Sequence, residues 1–195
     1  MLSDIINNIT TELEELNIFD TVHGMCEIVN DTDKTGDDAQ EISYPAEYQK
    51  SGELKKISFE NELSTCYIRR NGEASISEQD EDFQGCTENI EITIPLKFVG
   101  LVSCGEDNAY APERNVFNII DKFVKADNIE IAQQMEVESI EVLATGWNTN
   151  RYDVFESEFD NIEYNINFKA VLFSIDFEIR VVSDWNCWER LYCYC

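Results

Sequence analysis

The chain is short of bases, histidine, glycine motifs and long apolar runs, and each shortage closes a route. Only 14 Lys and Arg stand against 40 Asp and Glu, a formal charge of −26. A protein that grips nucleic-acid phosphates needs surplus cations to displace counterions, so this balance argues against that class. His23 is the only histidine in 195 residues. Acyl-transfer triads usually take their base from histidine, and His23 falls in a segment that reads as strand, where a hydrogen-bonded structural role is expected. The eight glycines form neither a Walker A loop nor G-x-G-x-x-G, so nucleotide phosphates lack their usual cradle. No apolar run approaches the ~20 residues that cross a bilayer, and no membrane partner is expected. The opening MLSDIINN has no basic region and carries Asp4 early, so no secretory signal is expected.

What is present supports a folded core: 43% of residues are hydrophobic. The organising stretch is Tyr164–Val182, YNINFKAVLFSIDFEIRVV. Apolar residues fall on even positions in its first half and on odd positions from Val171 to Val181, the alternation of a strand. As one strand it would be roughly 60 Å long, against a usual ~17–20 Å. The change of phase near Val171 predicts a bulge, or a strand that leaves one sheet or subunit for another. Its two halves are expected to bury against different partners, one on this subunit's helices and one on a second sheet or a neighbour.

In chain order, residues 3–17 read as an amphipathic helix with Ser3 as N-cap and a stripe of Ile5, Ile6, Ile9, Leu13 and Leu16. Phe19–Val29 reads as strand. Residues 30–41 form an acidic loop, and Leu54, Ile57 and Phe59 begin another strand. Asn71-Gly72 between Cys66–Arg70 and Glu73–Ser77 predicts a two-residue hairpin. Residues 78–88 are a second acidic loop. Ile90–Phe98 alternates as a strand in which Pro95 marks an edge or a bulge. Residues 113–125 read as a second amphipathic helix, 135–145 as mostly strand, 146–151 as a turn and Tyr152–Phe159 as a short strand. Strands in runs predict a single α+β domain over 1–195. Its mainly antiparallel sheet carries two amphipathic helices on one face and one very long C-terminal strand, and residues 184–195 form an aromatic, cysteine-rich tail.

The candidate chemistry is thin. Asp31–Asp37 matches the first half of a calcium loop, but position twelve is Ile42, with Glu41 one residue early, so a solvated acidic turn is expected. Cys187, Cys193 and Cys195 have no recognised zinc spacing, and the surrounding aromatics suggest a packed terminus. With Cys26, Cys66, Cys86 and Cys104 they make an odd set, read as reduced thiols in a cytosolic setting. Carboxylate pairs are plentiful, but 40 acids generate them by chance. No catalytic residue, cofactor or metal is expected, and the chain reads as no enzyme.

The order of elements resembles the tail-terminator and tail-completion proteins of tailed bacteriophages. The segments YPAEY (Tyr44–Tyr48) and YIRRNGEASI (Tyr67–Ile76) are also similar to neck and ring proteins of phages infecting Bacteroidetes, including the crAss-like group. The resemblance implies a structural subunit made in the host cytoplasm and placed in the virion. It would form a homo-oligomeric ring beside other connector or tail proteins, with strands and hairpins reaching neighbours. The residues fit this in two ways: an over-long strand supplies an arm for a neighbour, and negative walls let DNA pass without sticking. Arg69 and Arg70 are expected to meet carboxylates of an adjoining subunit, and Phe173, Ile175, Phe177 and Ile179 to serve the oligomer interface. The alternative is an acidic DNA-mimic inhibitor of a nucleic-acid enzyme.

Overall fold

An apolar stripe at helical spacing begins the chain: Ile5, Ile6, Ile9 and Leu13 are buried along α1 (Leu2–Glu15). Asn17 in the left-handed region (φ 52) then ends the helix. Eight strands follow: β1 (Thr21–Asp33), β2 (Gln40–Tyr48), β3 (Leu54–Lys56), β4 (Thr65–Arg70), β5 (Ser75–Asp80), β6 (Glu88–Ser103), β7 (Ser139–Asn148) and β8 (Ala170–Asp184). Between β6 and β7 lie α2 (Pro112–Lys125) and α3 (Ile129–Gln134), and between β7 and β8 lies α4 (Arg151–Glu158). The computed structural model describes residues 2–33, 40–49, 51–57, 64–80, 88–103, 112–125, 128–159 and 170–184.

The fold is α+β, with one mixed, mostly antiparallel sheet in the order β3-β2-β1-β4-β6-β8-β7, β5 adding to β6. Among the described strands, only β1 and β4 pair in parallel. The backbone of the sheet is the β6–β8 ladder, which runs without a register shift from Asn89↔Asp184 to Ser103↔Ala170. One face packs under α1 and α2, with Ile131 of α3 at its margin. There Phe98, Phe123, Phe173, Ile175, Phe177 and Ile179 meet Ile5, Ile9, Val116 and Ile119. The opposite face is smaller and lies under α4, where Tyr67, Val99, Leu101 and Leu172 meet Val154 and Phe159.

Three expectations are corrected. The phase change in β8 is not a bulge within Ala170–Asp184: odd residues from Val171 to Val181 face α1 and α2 throughout, and Leu172 is buried because α4 covers the other side. A central strand covered on both faces loses clean alternation. Positions 164–169 lie outside the described residues.

Asn71-Gly72 is not a hairpin. The strands β4 and β5 both pair with β6 as successive pieces of one line, Arg70↔Leu96 and Ser75↔Thr93, with four residues spanning a gap of two. The interruption sits opposite Pro95, whose carbonyl accepts the Asn71 N–H at 3.0 Å. Paired antiparallel residues direct N–H and C=O to the same side, so proline's missing donor faces the interruption. Gly72 takes φ +134 there.

Tyr152–Phe159 is helix, not strand. The Asn150 side chain caps it by accepting the Tyr152 N–H at 3.1 Å, with Asp153 in the first turn.

Candidate functional site

The helix α4 sets Val154 and Glu158 one turn apart, both facing the sheet. Below them, Arg69, Lys97 and Asp176 stand opposite one another on adjacent strands β4, β6 and β8. Directly opposite residues in antiparallel strands share a face, so the three charges form a row beneath the helix. The Glu158 side chain is fully buried, while Arg69 and Lys97 keep 16% and 15% exposure. Arg69 grips Glu158 through two bonds, Nε to Oε2 and Nη2 to Oε1, both 2.6 Å. Lys97 Nζ lies 3.5 Å from Glu158 Oε1 and 3.9 Å from Asp176 Oδ1. The Tyr67 hydroxyl donates to Glu158 Oε2 at 3.3 Å, and Asn71 Nδ2 donates to Asp176 Oδ1 at 2.9 Å.

Burial opposes the charge on Glu158, but the Arg69 guanidinium and then Lys97 outweigh it and hold the carboxyl below the ordinary glutamate range. Burial likewise opposes the charge on Arg69, yet its bonds to Glu158 raise its pKa. Burial, reinforced by Glu158, pushes the Tyr67 phenol well above its usual value. The network is a fixed lock between α4 and the sheet, with its buried carboxylate fully engaged.

The single histidine is also braced. His23 Nδ1 lies 3.1 Å from Glu47 Oε2, and Glu47 further accepts from Gly24 N–H at 3.0 Å and Gln49 Nε2 at 3.2 Å. Burial would raise the Glu47 carboxyl, but the Gly24 N–H, His23 and Gln49 together hold it below its ordinary range. A cavity of 720 Å³ beside α1 is lined by Ser3, Ile6, Thr10 and Glu47, and His23 is not in its wall. The pair therefore ties β1 to β2 and does not present an acid–base couple to that space. Among the described residues, no three His, Cys, Asp or Glu side chains are placed to share a metal ion.

The structure puts the expected interface residues in unlike places. Phe173, Ile175, Phe177 and Ile179 are at most 1% exposed, enclosed by this chain's own helices; the Phe177 and Phe123 ring centroids are 4.9 Å apart. Arg69 spends its guanidinium on Glu158 of the same chain. Arg70 is exposed at the end of β4, in the wall of a second cavity of 530 Å³ with Leu2, Met25, Ile28 and Tyr48. The Tyr48 hydroxyl donates to Glu27 at its margin.

Cys26 and Cys66 are buried free thiols. Cys86, Cys104 and the tail cysteines Cys187, Cys193 and Cys195 lie outside the described residues, as do positions 34–39 of the calcium-like loop. Glu158, Lys97, Tyr67 and Asp176 were not legible as a group; the capping Asn150 was the one signal for the helix that brings Glu158 in.

The ends of the hairpins complete the picture. Because β1 runs parallel to β4, and β4 and β5 both run antiparallel to β6, the turn ends Asp33/Gln40 and Asp80/Glu88 lie at one end of the sheet. Among the described residues, Asp31, Asp33, Glu41, Glu78, Asp80 and Glu88 lie in these strand ends. No protein-family model matches the chain, and no curated protein matches it significantly.

Proposed function

We propose that the chain is a non-enzymatic structural protein of a tailed-phage virion, a ring-forming subunit of the connector, neck or tail that surrounds a DNA channel. The observation that carries this reading is the placement of charge. Strand ends carrying Asp31, Asp33, Glu41, Glu78, Asp80 and Glu88 gather at one end of the sheet, and a concentrated negative surface repels duplex DNA and keeps a passage non-adhesive. In this reading α1 and α2 are the amphipathic pair over one face, and β8 extends back toward Tyr164 as a very long strand that reaches a neighbour. Other connector or tail proteins stack above and below, and DNA passes without specific contact.

The same gathering of acids favours one second reading, an acidic DNA mimic that occupies a nucleic-acid enzyme. Two measurements separate them. A subunit of a ring has a solution mass that is an integer multiple of the chain and does not release DNA from a nuclease or polymerase. A persistent monomer that does release DNA refutes the structural reading and supports the mimic.

A further inference from the structure

Above Arg70 the sheet forks. The pairing of β1 with β4 ends at Cys26, and from Glu27 to Asp33 β1 pairs only with β2 among the described residues. On the other prong β5 pairs only with β6. Two parallel strand edges, of seven and six residues, therefore border the fork without a strand partner among the described residues. An unpaired edge is a template for an added strand, because its outward N–H and C=O groups lack sheet partners.

The fork has a floor and a character. At its base is the 530 Å³ cavity whose wall includes Leu2, Met25, Ile28, Tyr48 and Arg70. This volume is within the usual range for a site that takes a side chain or small ligand. On the β5 prong Ile76 is 70% exposed. The edge segments EIVNDTD and SISEQD hold five acids and neither lysine, arginine nor proline. A second copy entering the fork would bring the same acids together, so like charge guards this edge against self-pairing. A cationic strand meets the opposite situation.

We infer that the fork between β1 and β5 is a docking site for an extended, basic segment of another protein, bound by strand addition. Its main chain pairs with the free edges, an apolar side chain enters the cavity at the base, and lysines or arginines lie along the acids above. Leu2, Met25 and Ile28 in the cavity wall give that apolar side chain its contacts. The inference goes beyond the assembly reading and does not require a ring.

The test uses the full chain and a fluorescent ten-residue peptide alternating lysine with valine. Its control has the same residues with alternate backbone nitrogens methylated, which keeps the charge and removes strand donors. Anisotropy is expected to show at least tenfold weaker binding for the methylated peptide and for Glu27→Lys or Ile76→Lys protein. Glu113→Lys, an equal charge change at an exposed position on α2, is expected to stay within twofold. Amides on the free edges of β1 and β5 are expected to exchange quickly alone and slowly with peptide. Equal losses for Glu27→Lys and Glu113→Lys, or equal binding of the methylated peptide, would show nonspecific attraction and overturn the inference. Protection of both edges before any peptide is added would overturn it too, since the chain would then cover the fork itself.

Discussion

Removing the carboxylate of Glu158 is the sharpest perturbation of this fold. Its side chain is fully buried against Arg69, with two 2.6 Å bonds, and Lys97 is 3.5 Å away. Glu158→Ala leaves two largely buried cations facing a void. Breaking a buried pair by deleting one partner costs about 3–5 kcal/mol. Here the cations keep some solvent and Lys97 still has Asp176 at 3.9 Å, which places the loss near the low end, ~3 kcal/mol. For a chain of this size that lowers Tm by roughly 6–12 °C. Glu158→Gln keeps an acceptor for Arg69 and is expected to lose less.

Urea unfolding followed by circular dichroism measures both variants. The pH dependence supplies an independent check. Arg69 holds the folded-state carboxyl below its unfolded value, so its contribution is full above the unfolded pKa of about 4.3 and is lost as pH falls through the folded pKa. The stability gap between wild type and Glu158→Gln should therefore narrow in acid. A loss under about 1 kcal/mol for Glu158→Ala at neutral pH, or a gap that widens in acid, would refute the lock.

Three further outcomes follow from the packing. Gly100 faces Phe173 across the β6–β8 ladder, and a Cβ there would lie 2.7 Å from that ring, so Gly100→Ala should destabilise by about 1–3 kcal/mol in a thermal melt. Asn150→Ala removes the cap of α4 and should cost about 1 kcal/mol by urea titration, with faster amide exchange in the first turn of that helix. Burial pushes the Cys26 and Cys66 thiols up, so both should resist alkylation at pH 8 until the chain unfolds, as peptide mapping would show; rapid native labelling would contradict their burial.

The legible parts of the fold were those with long, one-sided periodicity. The stripe Ile5, Ile6, Ile9 and Leu13 marks α1, and Val116 and Phe123 mark α2, because each helix buries one side only. The odd positions of β8 were legible for the same reason. The α4 helix was not, because Val154, Phe155 and Phe159 suit a short strand as well as two helical turns, and only Asn150 argues for a cap. The Asn71-Gly72 pair misled for a different reason. Turn chemistry is local, whereas pairing is decided by the partner, and the long β6 draws β4 and β5 into one line where Pro95 has no donor to offer. The lock was hidden by abundance: among 40 acids nothing in the sequence separates Glu158 from a solvated carboxylate. Arg69 was legible as an ion-pairing cation, but its partner comes from the same chain, supplied by the helix that periodicity missed.

The proposed function requires that this chain assemble with copies of itself. Native mass spectrometry at near-physiological salt, over a range of protein concentrations, tests it most directly. One closed species whose mass is a fixed integer multiple of 22.5 kDa, unchanged on dilution until it falls to monomer, is the predicted result. A monomer at every concentration, or a continuous ladder of masses with no preferred stoichiometry, would contradict it.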